Sequence, residues 1–275
     1  MIASCGEIIA ACVLADDLNS AGVPASPFDG IGAGIVTNDV FGRADVVGMD
    51  TARVRQALAS GRIPVITGFQ GRTADCRTAT LGRGGSDTSA VVIGGYLGAD
   101  VVDIYIDVPG VAQIDPHVVP EVKLMETVPA EDMLMLADWG ASVIQSKAVV
   151  AALRFKVPRL RVRSTFDEGP DTAIVPEGEA HGLVGMALLR DLSPSRIPTG
   201  EACAAGRELA TRCGGEGGIV TAVCRGVDMP EAARKVGTLE GVASVAFADG
   251  VLHAAAASDS LIDVAARMYE LLRTL

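Results

Sequence analysis

A run of glycines and three charged side chains carry most of the chemistry in this sequence. Leu81-Gly82-Arg83-Gly84-Gly85-Ser86-Asp87 is followed by an apolar stretch, residues 88–97, so a glycine-rich turn feeds the start of a helix. Glycines let the backbone approach a ligand without Cβ clashes. Unpaired N–H groups at the start of a helix favour an anionic group. Arg83 offers a planar fork suited to a carboxylate or phosphate. Asp87 offers a negative charge for an ammonium. No Gly-Lys-Ser/Thr follows, so the turn is not a P-loop. An ordinary strand-to-helix turn has the same composition. Glu7 follows a glycine at the start of an apolar helix expected over residues 7–20, where a carboxylate suits the helix dipole. Its functional reading is an acid that pairs with a substrate ammonium. Arg83 and two acids together would recognise an amino acid by its carboxylate and its amine.

The elements that must position these groups follow from periodicity and punctuation. Ile8, Ile9, Cys12, Val13, Leu14 and Leu18 fall at helical spacing, and Gly22 and Pro24 stop that helix. Asp50 and Thr51 are placed to cap a second helix with Val54 and Leu58 on its buried face, ended by Gly61. Residues 63–69 read as a buried strand, and the arms around Ala74-Asp75-Cys76 as a hairpin. After the helix at 88–97 comes a β-branched strand at 101–106, then helices near 130–137 and 141–155 and a last strand at 160–163. Strands alternating with helices predict a mostly parallel sheet covered on both faces. Residues 164–182 read as a linker rich in Asp, Glu, Gly and Pro. Residues 193–217 hold one short helix. From Gly218 a βαββα unit begins, most of a ferredoxin-like fold.

Composition narrows the function classes. The chain has 275 residues, 49% hydrophobic, with 32 glycines, which suits a compact α/β protein and excludes a disordered one. Net charge is -11 and aromatics are 4%, which argues against binding a phosphate backbone or stacking single-stranded nucleic acid. No apolar run reaches the ~20 residues that span a membrane, and the N-terminus lacks the basic region of a secretory signal. Six cysteines without a C-x-x-C, and three scattered histidines, argue against zinc and for reduced thiols in a cytoplasmic protein. His181 and His253 read as surface or packing residues.

Several motifs together resemble the aspartate kinases of the amino acid kinase family. They are Ser4-x-Gly6-Glu7, Gly68-Phe69-x-Gly71, Thr80 through Asp87, Ile104 through Val111 with Asp115-Pro116, Gly140 through Ile144, and Val162 through Phe166. They cover roughly residues 1–175 in the family's order. The C-terminal unit resembles the family's ACT regulatory domains. The resemblance implies a three-layer αβα sandwich of the amino acid kinase type with a C-terminal ferredoxin-like (ACT-like) α+β domain. Its boundaries would be 1–175 for the kinase-like domain, 176–217 for a linker or degenerate ACT-like region, and 218–275 for the ACT-like domain. It implies transfer of the ATP γ-phosphoryl to the β-carboxylate of L-aspartate with Mg2+. By carry-over Arg83 would bind an aspartate carboxylate, Glu7 and Asp87 its ammonium, and Ser4 and Phe69 would complete the substrate site. Ser86 and Asp87 would lie at the transferred phosphoryl. Gly84, Gly85, Asp107, Gly110, Val111 and Asp115 would face the nucleotide, and no residue is assigned to a metal. The ACT-like unit would bind a regulatory amino acid between paired copies, hence a homodimer or a partner kinase subunit.

The sequence also departs from the family. The opening Lys-Phe-Gly-Gly strand is absent, with on the order of 60 residues of the pattern, part of one hydrophobic core. On the nucleotide side, Ile106 replaces a threonine, Pro109 an aspartate, Ala112 a tyrosine, His117 an arginine and Ser142 a lysine; Lys147 lies over a helical turn from the lost lysine. The amino-acid side is intact while the nucleotide side has lost cationic and hydroxyl contacts, each worth ~10²-fold in such sites. Three readings therefore stand: an aspartate kinase with weakened turnover, a catalytically silent amino-acid-binding sensor or regulatory subunit, and a decaying fragment that folds poorly.

Overall fold

A computed structural model describes residues 2–213 and 217–275. They form two compact units. The first runs up to Ile104 and includes Lys147–Leu160; the second comprises Tyr105–Ser146 and Arg161–Leu275.

The first unit opens with α1 (Ile2–Ser20), followed by β1 (Ala25–Phe28), β2 (Ile35–Thr37), β3 (Val46–Met49), α2 (Ala52–Ala59) and β4 (Ile63–Ile66). Then come β5 (Gln70–Arg72), β6 (Thr78–Thr80), α3 (Gly85–Leu97) and β7 (Val102–Ile106, whose last two residues belong to the second unit). Helix α1 starts five residues earlier than its apolar spacing predicts, so Glu7 lies in its second turn and not at its N-terminus. Its buried residues are Ser4, Ala11 and Ala15, whereas Ile9, Val13 and Leu14 are more than half exposed. The helix is apolar on every side, so periodicity alone could not select its inner face. The small residues are the ones that let α1 lie close to its neighbours. Asn19 closes it: its amide donates to Ala15 O at 2.6 Å, and its Oδ1 accepts from Ala25 N–H at 3.0 Å.

Helix α2 buries Val54 and Ala57, while Leu58 is exposed, contrary to its expected place. The Asp50 carboxylate accepts from Ala52 N–H, but the Thr51 hydroxyl accepts from Arg55 Nε instead of capping. The strand expected over 63–69 stops at Ile66 and is only partly buried. It pairs in parallel with β1, from Ala25↔Ile63 to Phe28↔Ile66, and Gly68 and Phe69 then turn the chain. The hairpin is as expected, with Gln70↔Thr80 and Arg72↔Thr78 opposite each other. The sheet β3-β2-β5-β6 is mixed rather than mostly parallel. The connections from β2 to β3 and from β5 to β6 are too short for a crossover, which forces antiparallel pairs.

The second unit continues with β8 (Thr127–Pro129), α4 (Ala130–Asp138), α5 (Ser146–Arg154, which from Lys147 belongs to the first unit), β9 (Leu160–Ser164) and β10 (Thr172–Val175). Strands β7, β9, β10 and β8 are neighbours in that order. Helix α5 begins at Ser146 and not at 141. Gly140 takes φ +114°, where a Cβ would meet Leu188 O at 2.5 Å, so the chain turns sharply before the helix. The stretch 164–182 is more than a linker, because it holds the buried strand β10. Next are β11 (Gly182–Leu189), a 3-10 turn (Glu201–Cys203), α6 (Ala204–Arg212), β12 (Gly218–Arg225), α7 (Met229–Val236), β13 (Val242–Ala248), β14 (Val251–Ala256) and α8 (Leu261–Leu272).

The βαββα run is found within one to three residues of its expected bounds. Its sheet has the order β11-β12-β14-β13, antiparallel throughout. Strand β11 fills the fourth place of the ferredoxin-like sheet from the N-terminal side, a pairing that local patterns do not reveal. Asp228 caps α7 by accepting from Glu231 N–H. Asp249 and Gly250, at φ +49° and +78°, make the tight turn between β13 and β14. Val220, Ala222, Leu252, Ala254, Val264 and Met268 form the centre of this core.

His253 is a packing residue, as expected. It is buried, its Nδ1 lies 2.9 Å from Thr221 Oγ1, and its ring stands 4.6 Å from that of Trp139. Burial lowers its pKa from 6.5 to about 4. Below about pH 6.5 the unfolded chain therefore takes up a proton that the folded chain refuses until about pH 4. Stability is full above this window and falls as the pH drops through it, by about 3 kcal/mol in all. In urea titrations at several pH values, His253→Gln should lose this component. An unchanged acid dependence would show that the ring is not held neutral. His181 is exposed.

Candidate functional site

The first unit builds its site around the start of α3. Gly82 and Gly84 take φ +81° and +68°, so the turn enters the helix through left-handed residues. Gly85 is the first residue of α3 and is buried; a Cβ there would meet Phe69 Cδ2 at 2.9 Å. A Cβ on Gly68 would meet Ser86 Cα at 3.0 Å and its Oγ at 3.2 Å. The Gly68-Phe69 turn therefore lies directly against the first turn of α3. Phe69 itself is left-handed at φ +69°, uncommon for a bulky residue. Its C=O accepts from Leu81 N–H at 2.9 Å. Ser4 joins this group through Gln70, whose buried side-chain amide donates to Ser4 O at 3.0 Å. Glu7 lies three residues after Ser4 and four before Ala11, on the helix face that looks inward, and is half-buried.

The charged groups of this site are not used up by the protein. Glu7, Arg83 and Asp87 make no side-chain hydrogen bond or ion pair among the described residues. Arg83 and Ser86 are exposed, and Asp87 is half-buried in the first turn of α3. Burial raises the Asp87 carboxyl above its ordinary value. A carboxylate so placed, with no cation beside it, gains from a ligand ammonium.

The second unit holds the other group that the family resemblance points to, and it differs in kind. Val111 N–H donates to Thr172 Oγ1 at 2.8 Å, and the same hydroxyl donates to Met125 O at 2.6 Å. A Cβ on Gly110 would meet Thr172 Oγ1 at 2.6 Å, so this glycine serves close packing. The Asp115 carboxylate accepts from His117 N–H at 2.8 Å and lies 2.9 Å from His117 Nδ1. Burial pushes the Asp115 pKa up, but His117 and the charge of Arg190 outweigh it and hold it below the ordinary value. Asp107 is exposed. In the first unit, Lys147 forms an ion pair with Asp45 at 3.2 Å. The described residues contain no cluster of three or more His, Cys, Asp or Glu able to hold a metal ion, and no helix long and apolar enough to cross a membrane. All six cysteines are free.

The model of the amino acid kinase family matches residues 1–164. The chain belongs to that family. Among known amino acid kinases, it is 40% identical to the aspartokinase of Corynebacterium efficiens over 204 residues, 72% of this chain and 48% of that protein. It is 40% identical to aspartokinase 2 of Bacillus subtilis over 177 residues, 64% of this chain and 43% of that one. The chain thus spans about half the length of the curated relatives it matches. In fold it is similar to E. coli aspartokinase III solved with aspartate and ADP, with a TM-score of 0.76 over 97% of this chain and 74% of that one, at 20% identity. The aspartate kinase of Clostridium acetobutylicum gives a TM-score of 0.69 over 98% and 74%, at 16% identity. These structural likenesses speak for the fold.

Sequence reading did not single out Gln70, Ser89 or the pair Asp132 and Arg225. Gln70 and Ser89 lie beside motif residues, but nothing local marks them as buried. Asp132 and Arg225 are 93 residues apart, and only folding joins them.

Proposed function

We propose that this amino acid kinase binds L-aspartate, or a close analogue, at the start of α3, within an aspartate kinase-like protein. Arg83 would pair with a carboxylate through its fork. Glu7 and Asp87 would hold the ammonium. The N–H groups at the start of α3 would face developing negative charge near Ser86. The observation that carries this reading is the pair of unpartnered charged side chains Arg83 and Asp87 at the glycine turn packed on Phe69, with Glu7 unpartnered on the inward face of α1. The aspartokinase relatives support the choice of amino acid. The family reaction would transfer a phosphoryl group from ATP, with Mg2+ carried mainly by the phosphates. Of the residues that the resemblance assigns to the nucleotide, Val111 N–H and Asp115 are engaged within the protein and Asp107 is exposed, and Lys147, a helical turn from the lost lysine, pairs with Asp45, so the set fits this role poorly. No step through ATP or Mg2+ is therefore derived for this chain.

That same engagement favours a second reading, an amino-acid-binding regulatory subunit or sensor without turnover. The ferredoxin-like unit would then serve as an ACT-like module and carry pairing between copies. Titration calorimetry of the 275-residue chain with L-aspartate tests the shared part. Saturable binding is expected, and flat heats across a millimolar titration would sink both readings. Aspartyl phosphate trapped with hydroxylamine in the presence of MgATP separates them: product supports the kinase, and binding without product supports the sensor.

A further inference from the structure

Ser89 stands where the Gly68-Phe69 turn meets the first turn of α3. It lies in the second turn of α3 and is 1% exposed. Its hydroxyl donates to Gly85 O at 2.7 Å and accepts from Phe69 N–H at 2.9 Å. Both backbone polar groups of Phe69 are thus held, the N–H by Ser89 and the C=O by Leu81. This matters because a left-handed bulky residue is disfavoured and persists only where its surroundings fix it. The carbonyl that Ser89 binds belongs to Gly85, the glycine packed on the Phe69 ring.

We infer that Ser89 is a positioning residue for amino-acid binding, a role that rests on the site proposed above. It touches neither the ligand nor the charged groups. It locks the left-handed Phe69 against the first turn of α3, and so fixes the ring, the glycine N–H groups and the Asp87 backbone in one arrangement. The task needs a small side chain that donates and accepts at once. A hydroxyl does both, alanine does neither, and a thiol does both poorly. Threonine keeps the hydroxyl.

The test compares wild type, S89A and S89T as full chains, at a temperature where thermal melts show each to be folded. Calorimetry gives the L-aspartate Kd, and hydrogen exchange gives the protection of the Phe69 amide. The expected result for S89A is a Kd weakened about tenfold, as for two buried hydrogen bonds lost near a site, with faster exchange at Phe69. S89T should bind as wild type does to within about threefold, the size of small context effects. A purely structural role would lower the melting temperature of S89A and leave the Kd of the folded protein unchanged, and that outcome overturns the inference. Equal losses in S89A and S89T would also overturn it, because the hydroxyl would then not be the acting group. Should S89A not fold, S89C takes its place with the same expected loss. If wild type binds no L-aspartate, the site itself falls and the inference with it. If wild type binds and S89A binds equally well, only the role of Ser89 falls.

Discussion

Arg83→Ala is expected to weaken L-aspartate binding by about 30- to 150-fold, the range for losing a hydrogen-bonded contact between charged groups, ~2–3 kcal/mol. The side chain is exposed and has no partner among the described residues, so its removal disturbs no packing. The melting temperature should therefore stay within about a degree, as for other exposed substitutions. Arg83→Lys keeps the charge but loses the planar fork, and should recover only a small part of the affinity. Calorimetry on the three proteins decides the matter; an Arg83→Ala variant within threefold of wild type would remove Arg83 from the site. Asp87 adds a pH signature. Its carboxyl is raised above the ordinary value by burial, and a ligand ammonium prefers its ionised form. Affinity should fall as the pH drops through that raised pKa. Asp87→Asn should bind weakly and without this dependence.

The second large effect is on stability. Arg225→Ala should cost about 3–5 kcal/mol, the range for breaking one side of a buried ion pair. The Asp132 side chain is 3% exposed and pairs with the Arg225 guanidinium, which is 33% exposed. The guanidinium also donates to Cys224 O and Asp249 O, so Arg225 ties helix α4 to the end of β12 and the β13–β14 turn. Burial raises the Asp132 pKa more than Arg225 lowers it, and Glu131 adds to the rise. Without Arg225 the carboxyl must rise further. A group whose folded pKa exceeds its unfolded one favours folding as the pH falls. The deficit of Arg225→Ala should therefore be greatest near neutral pH and shrink toward the raised pKa of Asp132. Urea titrations across that range measure it. Asp132→Leu combined with Arg225→Met should recover most of the loss, since apolar replacements of buried pairs are often neutral or better. A single variant as stable as wild type would show the pair to be energetically idle.

Some of this protein is decided within short stretches of sequence. The hairpin over 70–80, the helix after the glycine turn and the βαββα run follow from local turn chemistry and periodicity. These act over a few residues and need no distant partner. The glycine turn at the start of α3 is legible for the same reason, since its residues lie within six positions of one another, and Arg83 and Asp87 are proposed from the same short stretch. Folding alone decided the rest. The inner face of α1 is set by what packs on it, because the helix is apolar all round and its small residues, not its large ones, fit against the unit. Strand β11 joins the C-terminal sheet from a stretch expected to be a linker or a degenerate ACT-like region, because pairing across 30 or more residues leaves no local trace. On the nucleotide side, only folding gives Val111 N–H and the Asp115 carboxylate their partners within the protein, while Asp107 stays exposed. Ser89 belongs to the same class: its two hydrogen bonds join residues 69 and 85, and only the three-dimensional arrangement makes an ordinary helix serine a fixed point of the site.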